Sequence, residues 1–200
     1  MEFLLPAILG YLLGSIPFGL VITKAAGLGD IRAVGSGNIG ATNVLRTGRK
    51  DLALATLLLD GGKGAIAVII AYLAGWRPEV AGAAAFLGHC FPVWLGFKGG
   101  KGVATFMGTL FALYFPAGFF AGAIWLAVAL VMKYSSLAAL VAAAAMPFVL
   151  FVMGKPAFAI AALFMTALIF VRHKTNITRL LSGEEPKIGA AKTEKAQAGA

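Results

Sequence analysis

Three polar stretches of this sequence contain the residues best suited to bind phosphate. The first, residues 35–46, combines glycines, hydroxyls and amides, ends in Arg46 and contains no acid. Glycines let the main chain approach a ligand closely, and the guanidinium of Arg46 offers a planar pair of donors that matches a phosphate. An ordinary polar connector also uses Gly, Ser and Asn, but it does not need this density of donors. We therefore interpret this stretch as an anion-binding loop.

The second stretch, residues 97–102, places two lysines among three glycines and precedes a long apolar segment. It is not a Walker A loop, because no glycine stands five positions before Gly100 and no Ser or Thr follows Lys101, so nucleotide binding is not implied. If a helix begins here, Lys101 and free main-chain amides would lie at its positive end. The stretch is therefore a second candidate for anion binding.

The third stretch follows the last apolar segment and is rich in basic residues. His173 and Asn176 are three positions apart, so on a helix they share one face. Arg172 and Arg179 beside them would also suit a cytoplasmic flank, but such a flank does not explain the His–Asn pair.

Two further ionisable residues, Asp60 and Lys63, lie inside an apolar segment and would share a helical face. Charges in such segments are costly and are usually functional or paired with each other. Two roles stay open for them, support of the site's geometry and direct contact with a ligand. His89 is interpreted as a packing histidine, and Cys90, the one cysteine, excludes an internal disulfide.

The composition predicts a helical membrane protein that contains these stretches. Of its 200 residues, 60% are hydrophobic, the mean hydropathy is +0.90, and the apolar residues form long continuous runs. We predict an all-α bundle with seven transmembrane helices, at about residues 3–25, 51–74, 80–96, 103–115, 117–132, 137–153 and 156–171. Residues 1–182 would form one integral-membrane domain, and residues 183–200 a disordered cytoplasmic tail.

The distribution of charge predicts the orientation of this bundle. With seven spans the termini lie on opposite sides of the membrane. Of the 17 lysines and arginines, all but three lie in the loops and the tail on the same side as the C-terminus. The positive-inside rule then places the N-terminus outside and the C-terminus in the cytoplasm, with the three polar stretches on the cytoplasmic face. The net charge of +9 fits anionic lipid and anionic substrates, and we expect no nucleic-acid partner.

Two classes of function fit a cytoplasmic anion site in a membrane protein. A transporter for a phosphate-bearing solute would place polar groups near the midplane, often in two related halves, and only Asp60 and Lys63 suggest this. We favour an enzyme. No metal-ligand spacing is present, so a metal is not expected, and no G-x-S-x-G motif marks a nucleophilic serine. We expect no cofactor.

An enzyme of this kind would lack a strong base. The His-x4-Asp pair common in acyl-CoA-dependent glycerolipid acyltransferases is missing, since Trp94 and Thr178 stand where the Asp would follow His89 and His173. A donor with a good leaving group, such as an acyl phosphate, would suit a site without such a base.

The same residues carry a family resemblance. Residues 35–44 (GSGNIGATNV), 96–105 (GFKGGKGVAT) and 172–180 (RHKTNITRL) resemble, in order, the three motifs of the bacterial acyl-phosphate:glycerol-3-phosphate acyltransferases, the PlsY family. The resemblance implies a seven-helix, multi-pass enzyme of the bacterial inner membrane with its active site on the cytoplasmic face. It would transfer a fatty acyl group from acyl phosphate to the 1-hydroxyl of sn-glycerol 3-phosphate, giving lysophosphatidic acid and phosphate, the first step of phospholipid biosynthesis. An upstream enzyme that produces acyl phosphate would be a partner besides the lipid bilayer.

The resemblance also implies roles for individual residues. The residues that would bind substrate phosphate are Ser36, Gly37, Asn38, Gly40, Thr42, Asn43, Arg46, Gly99, Gly100, Lys101 and Ser136. Those expected to act in catalysis are Ser36, Asn38, Arg46, Lys101, His173 and Asn176. Asp60 and Lys63 are assigned as supporting residues from their spacing and apolar setting, not from the resemblance, and direct contact stays open for them. Preorganised donors would stabilise the transition state, and holding two anionic substrates side by side would add proximity. Whether His173 is a general base or only positions glycerol 3-phosphate stays open.

Overall fold

The computed structural model describes residues 1–189, and all regular structure in that part of the chain is helical. The α-helices are α1 (Leu4–Gly14), α2 (Phe18–Ala25), α3 (Ala41–Leu45), α4 (Lys50–Leu73), α5 (Pro78–Cys90), α6 (Val103–Leu113), α7 (Phe115–Met132), α8 (Ser135–Val152), α9 (Pro156–Arg172) and α10 (Lys174–Leu181), with 3₁₀ helices at Ile31–Ala33 and Val93–Leu95. Helical segments therefore occupy all seven stretches predicted as spans.

Four helical segments of residues 1–189 are long and apolar enough to cross a bilayer: Leu4–Ala25, α4, α7 and α8. A fifth is added if α9 and α10, which meet at a bend of 62°, are counted as one span, and α6 is a shorter apolar helix. Large apolar side chains are exposed on the outside of the bundle, for example Phe119, Phe148 and Ile160. Such an apolar exterior is expected where lipid surrounds a protein. That seven helices cross the membrane stays a prediction.

The first predicted span, residues 3–25, is broken between α1 and α2. Pro17 has no N–H and disfavours helical geometry at the preceding residue, so carbonyls at the break lose their helical partners. Side chains from other segments replace them: Lys63 Nζ donates to the carbonyl oxygen of Ile16 at 2.8 Å, and Trp94 Nε1 donates to that of Ser15 at 2.6 Å. The sequence analysis wrongly treated this segment as one continuous helix.

The third predicted span was drawn too long. Helix α5 ends at Cys90, not near residue 96, because Pro92 restricts Phe91 and supplies no donor to continue the helix. The chain then forms the short 3₁₀ helix Val93–Leu95 and turns back towards the end of α5. This early ending leaves residues 96–102 beside the last turn of α5.

The core lies between α5 and the four helices that follow it in the chain, α6 to α9. Its largest buried side chains come from α5, α6, α8 and α9, and α7 contributes the small residues Ala117 and Ala121. The large ones are Phe86, Phe106, Leu110, Met146, Leu150, Met165 and Ile169. Helix α4 packs closely on α6, where a Cβ on Gly108 would collide with the carbonyl of Gly61. This contact fixes the N-terminal half of α6, and with it the end of the glycine loop.

The chain after α10 returns to the helices. The main-chain N–H of Ile188 donates to the carbonyl of Lys133 at 2.7 Å, and Glu185 is buried among polar side chains. The predicted boundary at residue 182 therefore falls just before a segment that is attached to the bundle. Residues 190–200, the rest of the predicted tail, lie outside the described residues.

Candidate active site

The glycine loop, residues 96–102, is attached to the end of α5. Gly99 N–H donates to the carbonyl of Cys90 at 3.1 Å, and Gly100 N–H donates to that of His89 at 3.0 Å. These carbonyls belong to the last turn of a helix, which leaves them without intrahelical partners. The main-chain amides of Gly99 and Gly100, predicted from the sequence to bind phosphate, are thus already paired with carbonyls of the protein.

Arg172 holds the loop from the opposite side. Its Nε donates to the carbonyl of Gly100 at 3.0 Å and its Nη2 to that of Gly99 at 2.7 Å, while the guanidinium lies over the ring of Phe91 at 5.3 Å. A planar guanidinium suits such a double contact. The amides and carbonyls of both glycines are consequently fixed, which determines where the next residue, Lys101, begins.

The loop ends at the start of α6. Gly102 has a φ of 82° and lies against Phe86, whose ring a Cβ would meet, so glycine is required for both reasons. Helix α6 then begins at Val103 without a side-chain cap. The first N–H groups of a helix lack intrahelical partners and carry partial positive charge, so an uncapped start beside a lysine suits an anion.

Lys101 joins the second and third polar stretches. Its Nζ donates to Oδ1 of Asn176, and Nδ2 of Asn176 donates to Oε1 of Glu185 at 2.6 Å. The same Oε1 accepts from Ser136 Oγ at 2.6 Å, and Oε2 accepts from Arg179 Nε at 2.7 Å. Burial alone would raise the pKa of Glu185, but these hydrogen bonds outweigh it and lower that pKa. Ser136, expected to bind phosphate, thus donates to a carboxylate in this structure.

Sequence reasoning missed Glu185, because it follows two ordinary tail residues and nothing local distinguishes it from Glu184. For Arg172 it offered only a cytoplasmic flank as one interpretation and no contact with the glycine loop. Only the three-dimensional arrangement shows that the first receives donors from three side chains and that the second holds the glycine loop.

His173 lies just beyond α9, at the bend before α10, and is buried. Its Nδ1 is 2.8 Å from the carbonyl oxygen of Ile169. Because a carbonyl only accepts, the neutral ring donates from Nδ1 and keeps a lone pair on Nε2. Burial is the largest effect on this residue and lowers its pKa to about 4. A neutral imidazole with an available Nε2 can accept a proton or a hydrogen bond from a hydroxyl.

The charges around Lys101 bring all three stretches to one place. Burial lowers the pKa of Lys101 to about 8; the carboxylate of Glu185 opposes this shift, and the positive charges of Arg179, Arg46 and Arg172 add to it. Arg46 belongs to the first stretch and the other two arginines to the third. In the part of the chain that the structure describes, one carboxylate among these four cations leaves an excess of positive charge that favours an anion.

The first stretch is organised by Asn43. Its Nδ2 donates to the carbonyls of Ile31 at 3.0 Å and Val34 at 2.8 Å, and its Oδ1 accepts from the main chain of Ser36 at 3.0 Å. The whole side chain is buried and its amide is paired inside the loop. Asn43 therefore shapes the loop.

Other residues of the first stretch lie at its surface. Ser36, Gly37, Thr42 and Arg46 are exposed, while Asn38 and Gly40 are half-buried neighbours. The Arg46 side chain lies against Gly35. These are the groups of the loop that a ligand can reach.

Asp60 and Lys63 are paired and buried. Lys63 Nζ donates to Asp60 Oδ1 at 2.8 Å, and each side chain is 2% exposed. His89 lies beside them, with Nδ1 3.6 Å from the same oxygen.

Comparison with known proteins places this arrangement in a family. Residues 4–183 match the family model described as glycerol-3-phosphate acyltransferase. The chain belongs to the glycerol-3-phosphate acyltransferase family. It is 62% identical to the glycerol-3-phosphate acyltransferase of Maricaulis maris over 187 residues, which cover 92% of this chain and 87% of that one. The protein of the same name from Rhodospirillum rubrum is 58% identical over 196 residues, covering 93% and 91% of the two chains.

Two solved structures of one member of the family have the same fold. Both are of PlsY, described as an integral membrane glycerol 3-phosphate acyltransferase. The glycerol 3-phosphate form matches with a TM-score of 0.89 at 43% identity, covering 94% of this chain and 96% of the other. The lysophosphatidic acid form matches with a TM-score of 0.87 at 42% identity, covering 95% and 97%. The family resemblance stated from the three motifs is thereby confirmed, as is the assignment to integral-membrane acyltransferases of phospholipid synthesis.

Proposed function

We propose that this chain transfers a fatty acyl group from acyl phosphate to the 1-hydroxyl of sn-glycerol 3-phosphate. The products would be lysophosphatidic acid and inorganic phosphate. The observation that carries the proposal is the cluster of Lys101 with Arg46, Arg172 and Arg179, which combines cations from all three polar stretches. Among residues 1–189, Glu185 is the one carboxylate whose charge affects Lys101. Two phosphate-bearing substrates require such an excess of positive charge.

The histidine of the site has no carboxylate at Nδ1 within residues 1–189, and this supports acyl phosphate as the donor. Neither histidine has an Asp five positions later, and the Nδ1 of His173 donates to the main-chain carbonyl of Ile169, so in the described part of the chain no carboxylate occupies Nδ1. A mixed anhydride needs less activation of the attacking hydroxyl, because phosphate is a good leaving group. The phosphate released would remain bound to the cations that held it in the donor.

The structure supports distinct roles for the predicted site residues. Lys101 and the uncapped start of α6 would neutralise the charge that develops on the leaving phosphate. Arg46 would bind a substrate phosphate from the other side, together with Ser36 and Asn38. His173 Nε2 would accept the hydrogen of the glycerol hydroxyl, and Asn176 would orient that substrate. A phosphate oxygen of the donor is an alternative acceptor of the proton.

We propose the orientation that the charges predict. All seven apolar helical segments would cross the bacterial inner membrane, with the N-terminus outside and the C-terminus and active site in the cytoplasm. The acyl chain of the donor would lie among the apolar helices while its phosphate reaches the cations. An enzyme that makes acyl phosphate would then deliver its product at the same membrane.

Acyl transfer by the purified protein tests the proposal. Glycerol 3-phosphate is supplied with either palmitoyl phosphate or palmitoyl-CoA, and lysophosphatidic acid is measured for the parent and for Lys101→Ala. The matched control is Lys155→Ala, which removes a lysine from the predicted opposite face. We expect product from palmitoyl phosphate alone, lost in Lys101→Ala and kept in Lys155→Ala. Product from palmitoyl-CoA, or none from either donor in folded protein that binds glycerol 3-phosphate, would refute the proposed donor.

A further inference from the structure

A buried ionic cluster beside the glycine loop takes no part in the steps above. Asp60 and Lys63, both on α4, are paired at 2.8 Å and almost fully enclosed. Enclosing charges is costly, and an apolar pair of similar volume would often stabilise a protein as well or better. The cost suggests that the pair does something that apolar packing would not.

The pair connects α4 to two other segments. Lys63 Nζ also donates to the carbonyl of Ile16, at the break between α1 and α2, at 2.8 Å. The main-chain carbonyl of Asp60 accepts from Thr105 Oγ1, in the first turn of α6, at 2.8 Å. The cluster is thus attached to the helix that begins where the glycine loop ends.

His89 links the pair to the loop itself. Its Nδ1 lies 3.6 Å from Asp60 Oδ1, its side chain is 3% exposed, and within residues 1–189 Nδ1 has no hydrogen-bond partner. The other edge of the ring lies on Gly100, where a Cβ would collide with Nε2. The main-chain carbonyl of His89 also accepts from Gly100 N–H. The imidazole therefore fills the space between the Asp60 carboxylate and the main chain that precedes Lys101.

We propose that Asp60, Lys63 and His89 are positioning residues that set the place of the glycine loop, and through it of Lys101, for binding of substrate phosphate. The inference rests on the function proposed above. Asp60 attracts one edge of the imidazole and fixes the ring plane, the ring supports Gly100, and Lys63 keeps the carboxylate in place. None of the three is expected to touch substrate, since all are enclosed by protein.

Two variants test the role without leaving a lone buried charge. His89→Gln removes the ring that supports Gly100, and the double variant Asp60→Asn/Lys63→Met removes both charges together. The control is Thr166→Val, which deletes a buried 2.8 Å hydrogen bond between α9 and α8 away from the loop. We expect the KM for glycerol 3-phosphate to rise roughly 10- to 100-fold in both test variants, as for other residues that orient a site. The ranking of KM values among acyl phosphates of different chain length should be the same in the test variants as in the parent. Thr166→Val should behave like the parent in both measurements.

Hydrogen exchange supplies a measurement that does not need turnover. The amides of Gly99 and Gly100 should exchange faster in both test variants than in the parent, while amides in the middle of α8 should not change. A folded His89→Gln protein with the parent's exchange at these glycines and the parent's KM would overturn the proposal. If the double variant does not fold, His89→Gln decides alone. If the parent itself transfers no acyl group, the proposed function fails, and exchange together with binding of glycerol 3-phosphate still decides the positioning role.

Discussion

Lys63 is buried and Lys101 is half-buried, and the two lysines have opposite surroundings. Lys63 donates to a carboxylate at 2.8 Å and to a main-chain carbonyl, so its charge is neutralised by a partner inside the protein. Lys101 contacts the neutral oxygen of Asn176, and within residues 1–189 the charges that affect its pKa are those of three arginines and one glutamate. The first arrangement completes a structure, and the second leaves positive charge for a ligand. We infer from the comparison that the partner of an enclosed or half-buried cation distinguishes a supporting lysine from one that binds a ligand.

The largest effect is expected on stability, when Lys63, the lysine paired with a carboxylate, is replaced. Lys63→Met leaves Asp60 as a lone enclosed charge and should destabilise the protein by about 3–5 kcal/mol, the usual cost of breaking a buried ion pair. Thermal unfolding in detergent measures the loss. An unfolding midpoint equal to that of the parent would mean that the two lysines are not as different as the contacts indicate.

Removal of the other lysine should spare stability and affect catalysis. Lys101→Ala should lower kcat/KM by about 10²- to 10³-fold, the range found when a donor to a developing negative charge is deleted. The midpoint of thermal unfolding should stay close to that of the parent, since no carboxylate of residues 1–189 pairs directly with Lys101. Large loss of stability with little loss of turnover would reverse the assignment of the two lysines.

Arg172 extends the comparison to a cation that lies near Lys101 but donates its hydrogen bonds to main-chain carbonyls of the protein. In Arg172→Lys the ammonium keeps the charge but cannot reproduce the two hydrogen bonds to the carbonyls of Gly99 and Gly100. Since hydrogen bonds from charged groups contribute about 1.5–3 kcal/mol each, loss of one should lower kcat/KM roughly 10- to 100-fold. Steady-state kinetics with varied glycerol 3-phosphate provides the measurement. Full activity in the lysine variant would show that charge alone is needed at this position.

The pH dependence tests whether Lys101 acts through its charge. Its pKa lies near 8, below the ordinary value, so the charged form is lost as pH rises through that value. Above it, kcat/KM should fall about tenfold per pH unit, because this parameter reports the free enzyme. Bound phosphate favours the charged form, so the fall in kcat should occur at higher pH.

Lys101→Arg is the control for this profile. Arginine stays protonated throughout the range, so the variant should lose the alkaline fall even if its activity at neutral pH is lower. A fall near pH 8 that persists in the variant would assign the titration to another group.

Much of this arrangement could be predicted from the sequence. Long apolar runs gave the positions of the helical segments, since continuous apolarity is a local property. The acid-free glycine loop and the spacing of His173 and Asn176 indicated Lys101 and its neighbours for the same reason. Pro17 and Pro92 mark the places where the helices are interrupted. The continuous apolar runs predict unbroken helices there, because membrane helices often tolerate a proline.

The remainder depends on contacts between distant residues. Asn43 and Ser36 look alike as polar loop residues, yet one is buried with its amide paired and the other is exposed. His89 was interpreted as a packing residue because nothing in its own segment places Asp60 beside it. Glu185 gains its partners from α8 and α10, and no local pattern contains that information.

The spacing of Asp60 and Lys63 has a consequence for how the protein is made. Because the two charges lie three residues apart on α4, they can pair within that helix as soon as it forms, before α5 has been synthesised. A neutral pair is easier to insert into a bilayer than either charge alone. Helix α4 can therefore enter the membrane with its charges already matched, and the nascent chain needs no later partner to bring them in. His89 and the glycine loop are then added around a pair that is already in place.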